Sequence, residues 1–446
     1  MKEIINKVLD YISSNNLKGQ INIGTAISKK ASFSNGKLEE LSQGERSAAG
    51  ILLMDDDGRI AAANTNQLDQ DSLLEAVKNA AALVKYSQPD NGNIISSDKA
   101  FTFLDWCFDI DTKNLTLDEI TENAKDMEIK AKGMDKRIQF VRGSSFETEV
   151  SKRIFANTNG VYKESVSTSA AAEIMLAAVQ GESSSMGYEF DIRQSSRLIR
   201  SEDIIKNSVE LALAGLDAEV LQSGRYDVIF SPTVSGMLLG VLSSPLSGEN
   251  VFKGKSFLKD KIGSTVANEK VSLVHDPMNG SAPYVSSFDA EGTNTKKFDF
   301  IRNGVLMNYA HNLYSAQKMN CQPTGNAFAS LGGNPSIGTI NMHLLSTNTR
   351  NDILNGYRTS DCGKTLYITH VMGLHTADPI SGRFSIQISG QVVENGHFTK
   401  SFRGMTMAGT LQEMLENIVM VGSDFKYMGS VAGSTTLIKN MSIGGK

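Results

Sequence analysis

Six histidines, at positions 275, 311, 343, 370, 375 and 397, are the first side chains to test for chemistry in this chain of 446 residues. His370 and His375 stand five apart, a spacing that suits two metal ligands on a helix. The segment Leu366–Met372 reads instead as a strand, where positions five apart point to opposite faces, and no glutamate follows His370. His275-Asp276 has the composition of a proton-transfer dyad, but Pro277 follows it directly, and a loop-capping role is expected. No G-x-S-x-G follows a strand, so Glu182-Ser183-Ser184-Ser185 and Ser243-Ser244 read as loop composition. No G-x-x-x-x-G-K-[ST] supplies a phosphate cradle, and Leu331-Gly332-Gly333-Asn334 leads to Pro335 and a strand, a weak anion site at best. Asp55-Asp56-Asp57-Gly58 is too short for a calcium loop and reads as a turn. Asp289 and Glu291, in a tight turn closed by Gly292, form the acidic pair of most interest. They allow two readings: an Asp bonded to its own backbone, or two carboxylates bordering a substrate cavity. Carboxylate count alone leaves glycoside chemistry open.

Composition narrows the class. Apolar residues make up 40% and charged residues 21%, as in ordinary globular proteins. A net charge of −5 gives no footprint for nucleic acid. No stretch of about 18 apolar residues suggests a membrane span. The opening segment MKEIINKVLDYISSNN has scattered charges, so a helix is expected there, not a signal peptide. Cys107, Cys321 and Cys362 are odd in number and far apart, which fits reduced thiols and a cytoplasmic location.

The elements that must position these residues fall into two halves. Ile5, Val8 and Ile12 share one face of a first helix ended by Asn15-Asn16. Ile21, Ile23, Thr25 and Ile27 alternate as a strand, and Ser34-Asn35-Gly36-Lys37 signals a hairpin. A second hairpin turns at Asp55–Gly58, and Asp69 or Asp71 caps a helix through Val84. Thr116-Leu117-Asp118-Glu119 is a capping box opening a helix to about Gly133. From Arg137 to Arg193 the pattern is an antiparallel meander with one wet face. Ser201 is expected to cap a helix from Glu202 to Val220. Gln222-Ser223-Gly224 marks a boundary, giving an N-terminal mixed α/β domain over 1–222 and a C-terminal β-rich domain over 223–446. In the second half, Tyr226–Phe230 reads as a strand, Ser231-Pro232 as its stop, and Val234, Met237, Leu238, Val241 and Leu242 as a helix that Pro245 ends or bends. Short strands with Asn-Gly turns at 303–304 and 395–396 follow, including Ile337–Leu345, and Thr410–Val421 reads as a last helix. The fold class is α+β: an antiparallel sheet with helices on one side, then a curled sheet or partial barrel whose exposed edge could accept an extended peptide.

Several segments resemble the TldD/PmbA family, once called modulators of DNA gyrase and regarded as metallopeptidases. They are Ser287-Phe288-Asp289-Ala290-Glu291-Gly292-Thr293, FDFIRNGVLMNY at 298–309, and Pro323-Thr324-Gly325-Asn326-Ala327. Three more follow in family order: Gly373-Leu374-His375, Ser381-Gly382-Arg383-Phe384-Ser385 and Val393-Glu394-Asn395-Gly396. Arg383 stands where the family pattern usually has Asp. In the TldD branch, the helix after the Tyr226–Phe230 strand carries His-Glu-x-x-x-His, two zinc ligands and a water-activating carboxylate. Here that motif falls on Gly240, Val241 and Pro245. The branch's third ligand, a cysteine in Gly-Thr-Cys-Gly, falls within Gly429-Ser430-Val431-Ala432-Gly433, on Val431.

The resemblance therefore implies the PmbA/TldE branch, which lacks the metal site: no catalytic residue and no cofactor in this chain, with zinc expected in a TldD-type partner. It implies a dimer, with that partner or with itself, that processes unfolded peptides, and a substrate cavity bordered by Asp289, Glu291, Gly292, His375 and Arg383. Two other classes remain open: a peptide-binding or regulatory homodimer acting on gyrase or toxin–antitoxin systems, and an autonomous hydrolase with an unrecognised site.

Overall fold

A computed structural model of the chain describes residues 1–356 and 365–446; Cys362 falls outside them. The N-terminal half comprises α1 (Lys2–Ser14), β1 (Lys18–Ser34), β2 (Lys37–Met54), β3 (Ile60–Thr65), α2 (Gln70–Val84), α3 (Ile110–Asn114), α4 (Leu117–Met134), β4 (Ile138–Asn157), β5 (Tyr162–Gln180), β6 (Ser183–Arg193) and α5 (Ser201–Ala214). Its six strands form one antiparallel sheet in the order β3-β2-β1-β4-β5-β6. Asn35 and Gly36 turn β1 into β2 with positive φ (48° and 82°), the conformation a two-residue hairpin requires. Thr116 and Glu119 form the expected capping box, and Asp69 accepts from the Ser72 N–H at the start of α2.

Alternation along β1 decides where the layers go. Ile21 and Ile23 pack under α1 and α2, while Ala31 and Phe33 pack under α4 and α5. All four lie on one face of the sheet. The other face at Asn22 and Gly24 meets the C-terminal half: Asn22 donates to the Ala290 carbonyl at 2.8 Å, and Leu331 lies over Gly24.

The C-terminal half begins with β7 (Gly224–Phe230) and α6 (Pro232–Leu242). Ser231 caps α6 and Pro232 occupies its first turn. Strand β7 joins Thr365–Met372, Arg383–Glu394, His397–Thr410 and Thr436–Gly444 in a ring, because His397–Thr410 pairs with Thr436–Gly444 as well as with Arg383–Glu394. The expected partial barrel is thus a closed one of five strands, which leaves few unpaired edges. A second six-stranded sheet includes Leu273–His275, Phe298–Arg302, Met342–Leu344, Val431–Gly433 and Lys426–Met428. Helix α6 contacts strands of both sheets, and one continuous apolar core surrounds it.

Three elements differ from the sequence reading. Helix α5 starts at Ser201 itself and stops at Ala214, since Gly215 caps it and Asp217 turns the chain with φ of 54°. Thr410–Val421 splits into a helix, Leu411–Asn417, and a strand, Ile418–Val421, which pairs with Thr436–Ile438. The β-branched end of that segment gains more from the sheet than from another helical turn. Ile337–Leu345 is likewise two strands, broken where Asn341 takes φ of 52°.

Helix α6 approaches the Val431–Gly433 strand through two glycines. A Cβ on Gly433 would stand 1.9 Å from the Pro232 carbonyl oxygen and 2.3 Å from the Gly236 nitrogen. Gly433→Ala is expected to destabilise the protein by about 1–3 kcal/mol or more in denaturant unfolding, because backbone must move to admit the methyl group.

Candidate functional site

The sequence points to two places, and the structure puts them on different elements. The first is α6 with its neighbouring strand. Gly240 lies one turn beyond Gly236, on the side of α6 that faces the Lys426–Gly433 hairpin. It is exposed, and a Cβ built there meets nothing within 4 Å. Val241 is half-buried in the core around α6. Pro245 is buried past the helix end, and Val431 is buried in the adjacent strand. The helix and strand that the metal motif would require are therefore side by side. Hydrogen, an isopropyl group, a pyrrolidine ring and a second isopropyl group occupy the motif positions. None offers a lone pair, so these residues do not fit a zinc ion. Among the described residues, no group of three or more His, Cys, Asp or Glu side chains is placed to hold a metal.

The second place is the acidic turn. Asp289 is fully buried. Its Oδ1 accepts from the Glu291 and Thr293 N–H groups, both at 2.9 Å, and its Oδ2 from the Ala327 N–H at 3.0 Å. Glu291 accepts from the Leu313 N–H at 2.7 Å. Gly292 turns the chain with φ of +72° and lies on the Phe155 ring, which a Cβ would approach to 2.2 Å. Arg153, on β4, stacks over the Phe288 ring at 5.0 Å. Lys163, on β5, is wholly buried and donates to Asn294 Oδ1 at 2.7 Å, while Asp98 accepts from the Asn294 N–H at 2.9 Å. The turn is thus a polar plug between the two halves.

Burial raises the pKa of Asp289, against which three backbone donors and the Arg153 guanidinium favour its charged form. Burial also raises Glu291, and the neighbouring Asp289 charge raises it further. With one backbone donor to three, Glu291 is the carboxyl that keeps its proton. Burial lowers both Arg153 and Lys163, opposed by Asp289 and, at Lys163, by Asp98. Arg153 and Lys163 went unread in the sequence because only strand register brings them to the turn, and Asp98 because it reaches the turn from the irregular segment after α2.

The remaining candidates are scattered. Arg383 opens an exposed strand end, its backbone bonded to the Asp378–Ser381 turn, and no contact joins it to Asp289 or Glu291 among the described residues. His370 is exposed on its strand; His375 lies on the following turn, Leu374–Thr376, and its side chain is outside those described. His275 is not in a loop but ends a strand inside the core, where burial lowers its pKa to about 3. Asp276 pairs with Lys297.

Comparison with known proteins fits this architecture. Models of the PmbA/TldA metallopeptidase family match in series: domain 1 over residues 25–84, the central domain over 110–216 and the C-terminal domain over 223–445. The chain belongs to the PmbA/TldD family. The metalloprotease PmbA of Escherichia coli O157:H7 is 24% identical over 448 residues, covering 100% of this chain and 96% of that protein. A PmbA homolog of Haemophilus influenzae is 26% identical, covering 86% of this chain and 82% of its own. Among solved structures, TldE of Thermococcus kodakarensis superposes with a TM-score of 0.88 at 19% identity, covering 99% of this chain and 100% of its own. A Thermotoga maritima protein named for modulation of DNA gyrase gives 0.89 at 24%, with the same coverage. At these identities the superpositions establish the fold.

The neutral Glu291 makes stability fall as pH rises. Its folded pKa lies above the ordinary 4.5. Its contribution is therefore complete below that value and is lost as pH rises toward the raised one. Glu291→Gln, which keeps an acceptor for the Leu313 N–H, is expected to flatten this slope and gain of order 1–3 kcal/mol at pH 8 relative to pH 5. Denaturant titrations of both proteins at the two pH values check this. Asp289→Asn, which strands the Arg153 charge and turns an amide toward backbone donors, is expected to cost about 3–5 kcal/mol.

Proposed function

We propose that this chain is a non-catalytic subunit of a metallopeptidase complex that processes unfolded peptides. The single observation behind this reading is the retained scaffold of α6 against Val431–Gly433 with no ligand atom at Gly240, Val241, Pro245 or Val431. The partner in this reading is a TldD-type chain that carries its own zinc, its water nucleophile and its general base. This chain contributes shape, stability and substrate contacts, in the cytoplasm, without a cofactor of its own. The names of its relatives support peptide hydrolysis as the activity of the assembly. A net charge of −5 argues against nucleic acid as the ligand.

A self-associated binding protein without peptidase activity is the second reading, favoured by the same lack of donors at the motif. The two separate in one experiment. An unstructured peptide is incubated with this chain alone, with a TldD-type chain alone, and with the mixture, each with and without chelator. Cleavage that is greatest in the mixture and lost on chelation is the expected result. Chelator-sensitive cleavage by this chain alone would overturn the reading, and silence in every arm would favour the binding protein.

Gly240→Ala is expected to leave the mixture's turnover unchanged. It should also stabilise this chain by roughly 0.4–1 kcal/mol, since the site is helical and open and alanine restricts the unfolded chain. A large loss of turnover with assembly intact would contradict the proposed absence of catalytic work at this position.

A further inference from the structure

The sheet of the N-terminal half leaves one long edge open. Strand β3 pairs with β2 only over Ala49–Met54. From Lys37 to Ala48, β2 is bonded on its inner side to β1, and no strand pairs with its outer side among the described residues. Every residue from Lys37 to Arg46 is exposed. This edge presents backbone N–H and C=O groups that only another extended backbone satisfies as a set.

The side chains along the edge differ between its two faces. Glu40 and Arg46, opposite Ser32 and Ala26, are already held by Lys30 at 2.9 Å and Glu149 at 2.7 Å. On the helix-bearing face, opposite Phe33, Ala31 and Ile27, stand Leu38, Leu41 and Glu45. Leu38 and Leu41 are each 48% exposed, and Glu45 has no ion-pair partner among the described residues. One face is electrostatically settled, and the other offers an apolar strip followed by a free carboxylate.

We propose that the outer edge of β2, Lys37–Ala48, is a docking site for an extended peptide with apolar and basic side chains on one face. The peptide adds a strand in line with β3, its backbone pairing with β2, its apolar residues meeting Leu38 and Leu41, and its basic residue meeting Glu45. This rests on the peptide-processing reading and deepens it, by giving a class of peptide and a place to hold it away from the chemistry. Charge complementarity selects the occupant: the unpaired carboxylate attracts a basic chain and repels an acidic one.

The test uses the full chain alone, with no partner chain and no zinc. The probe is a labelled nonapeptide with threonine on one face and, along the other, valines followed by lysines, read by fluorescence anisotropy. Saturable binding is expected, weakened at least tenfold when glutamate replaces lysine. The same loss is expected when alternate backbone nitrogens are methylated, which removes donors and keeps every side chain. The exposed double substitution Leu41→Lys with Glu45→Lys should weaken binding at least tenfold, with circular dichroism and melting unchanged. No binding, or binding indifferent to N-methylation or to the double substitution, overturns the proposal. So does sedimentation showing that the free chain is a dimer which the double substitution dissociates, since a second copy then occupies the edge. Failure here leaves the mixed-chain cleavage result standing, and failure of cleavage leaves a positive binding result standing.

Discussion

The buried Asp289 carboxylate is the constraint on which the joining of the two halves depends. An ionised carboxyl can leave water only if fixed donors replace its hydration. Here three backbone N–H groups and a nearby guanidinium do so. The donors come from the turn itself and from Ala327, so satisfying one side chain shapes two loops at once. Gly292 then lets the turn lie on Phe155, and Asn22 fixes it through the Ala290 carbonyl. These last two contacts cross from the C-terminal half to the sheet of the N-terminal half. Phe155 and Lys163 behind the turn are consequently buried, although their strands carry enough Ser, Thr and Glu to resemble a wet surface.

A separate constraint explains why the α6 region keeps its form without ligand atoms. Gly236 and Gly433 let the helix and the strand approach at backbone distance, and the apolar core around α6 holds both. Val241 and Val431 take part in that core as packing groups, and the close approach at the two glycines needs no ligand atom from either. The helix and the strand therefore keep their close approach with only hydrogen and alkyl groups at these four positions.

What could be read from the sequence was what short-range physics dictates. Asn35-Gly36, Asn303-Gly304 and Asn395-Gly396 all take the positive φ that their residue types favour, and each joins the strands it was expected to join. The Thr116 capping box, the Ser231-Pro232 stop and the stripe of Ile5, Val8 and Ile12 are equally local. The Asp289 turn was recognisable as a turn, but not as a plug, because Phe155, Arg153 and Lys163 reach it only through the register of β4 and β5. Closure of the barrel was hidden for the same reason. It rests on three residue pairs, Thr406–Gly444, Met407–Ile443 and Ala408–Ser442, and nothing in either segment alone specifies them. Ile418–Val421 continued a helical pattern, and its pairing with the Thr436–Ile438 segment was not visible within the stretch itself.

The basic and imidazole groups in the core are arranged for structure more than for proton transfer. His275 and His311 are buried and held down to about 3 and about 4, so both stay neutral through the range in which histidine usually switches. Burial between β6 and α6 lowers Lys426 to about 8. Yet its ammonium touches Glu189, donates to Thr233 at 3.2 Å and lies 4.5 Å over the Phe190 ring. A carboxylate and an aromatic face both favour the charged form and oppose the desolvation that would discharge it. Lys426 therefore acts as a tie between the β6 edge and the start of α6, tightening at a second point the junction that Asp289 seals at the first.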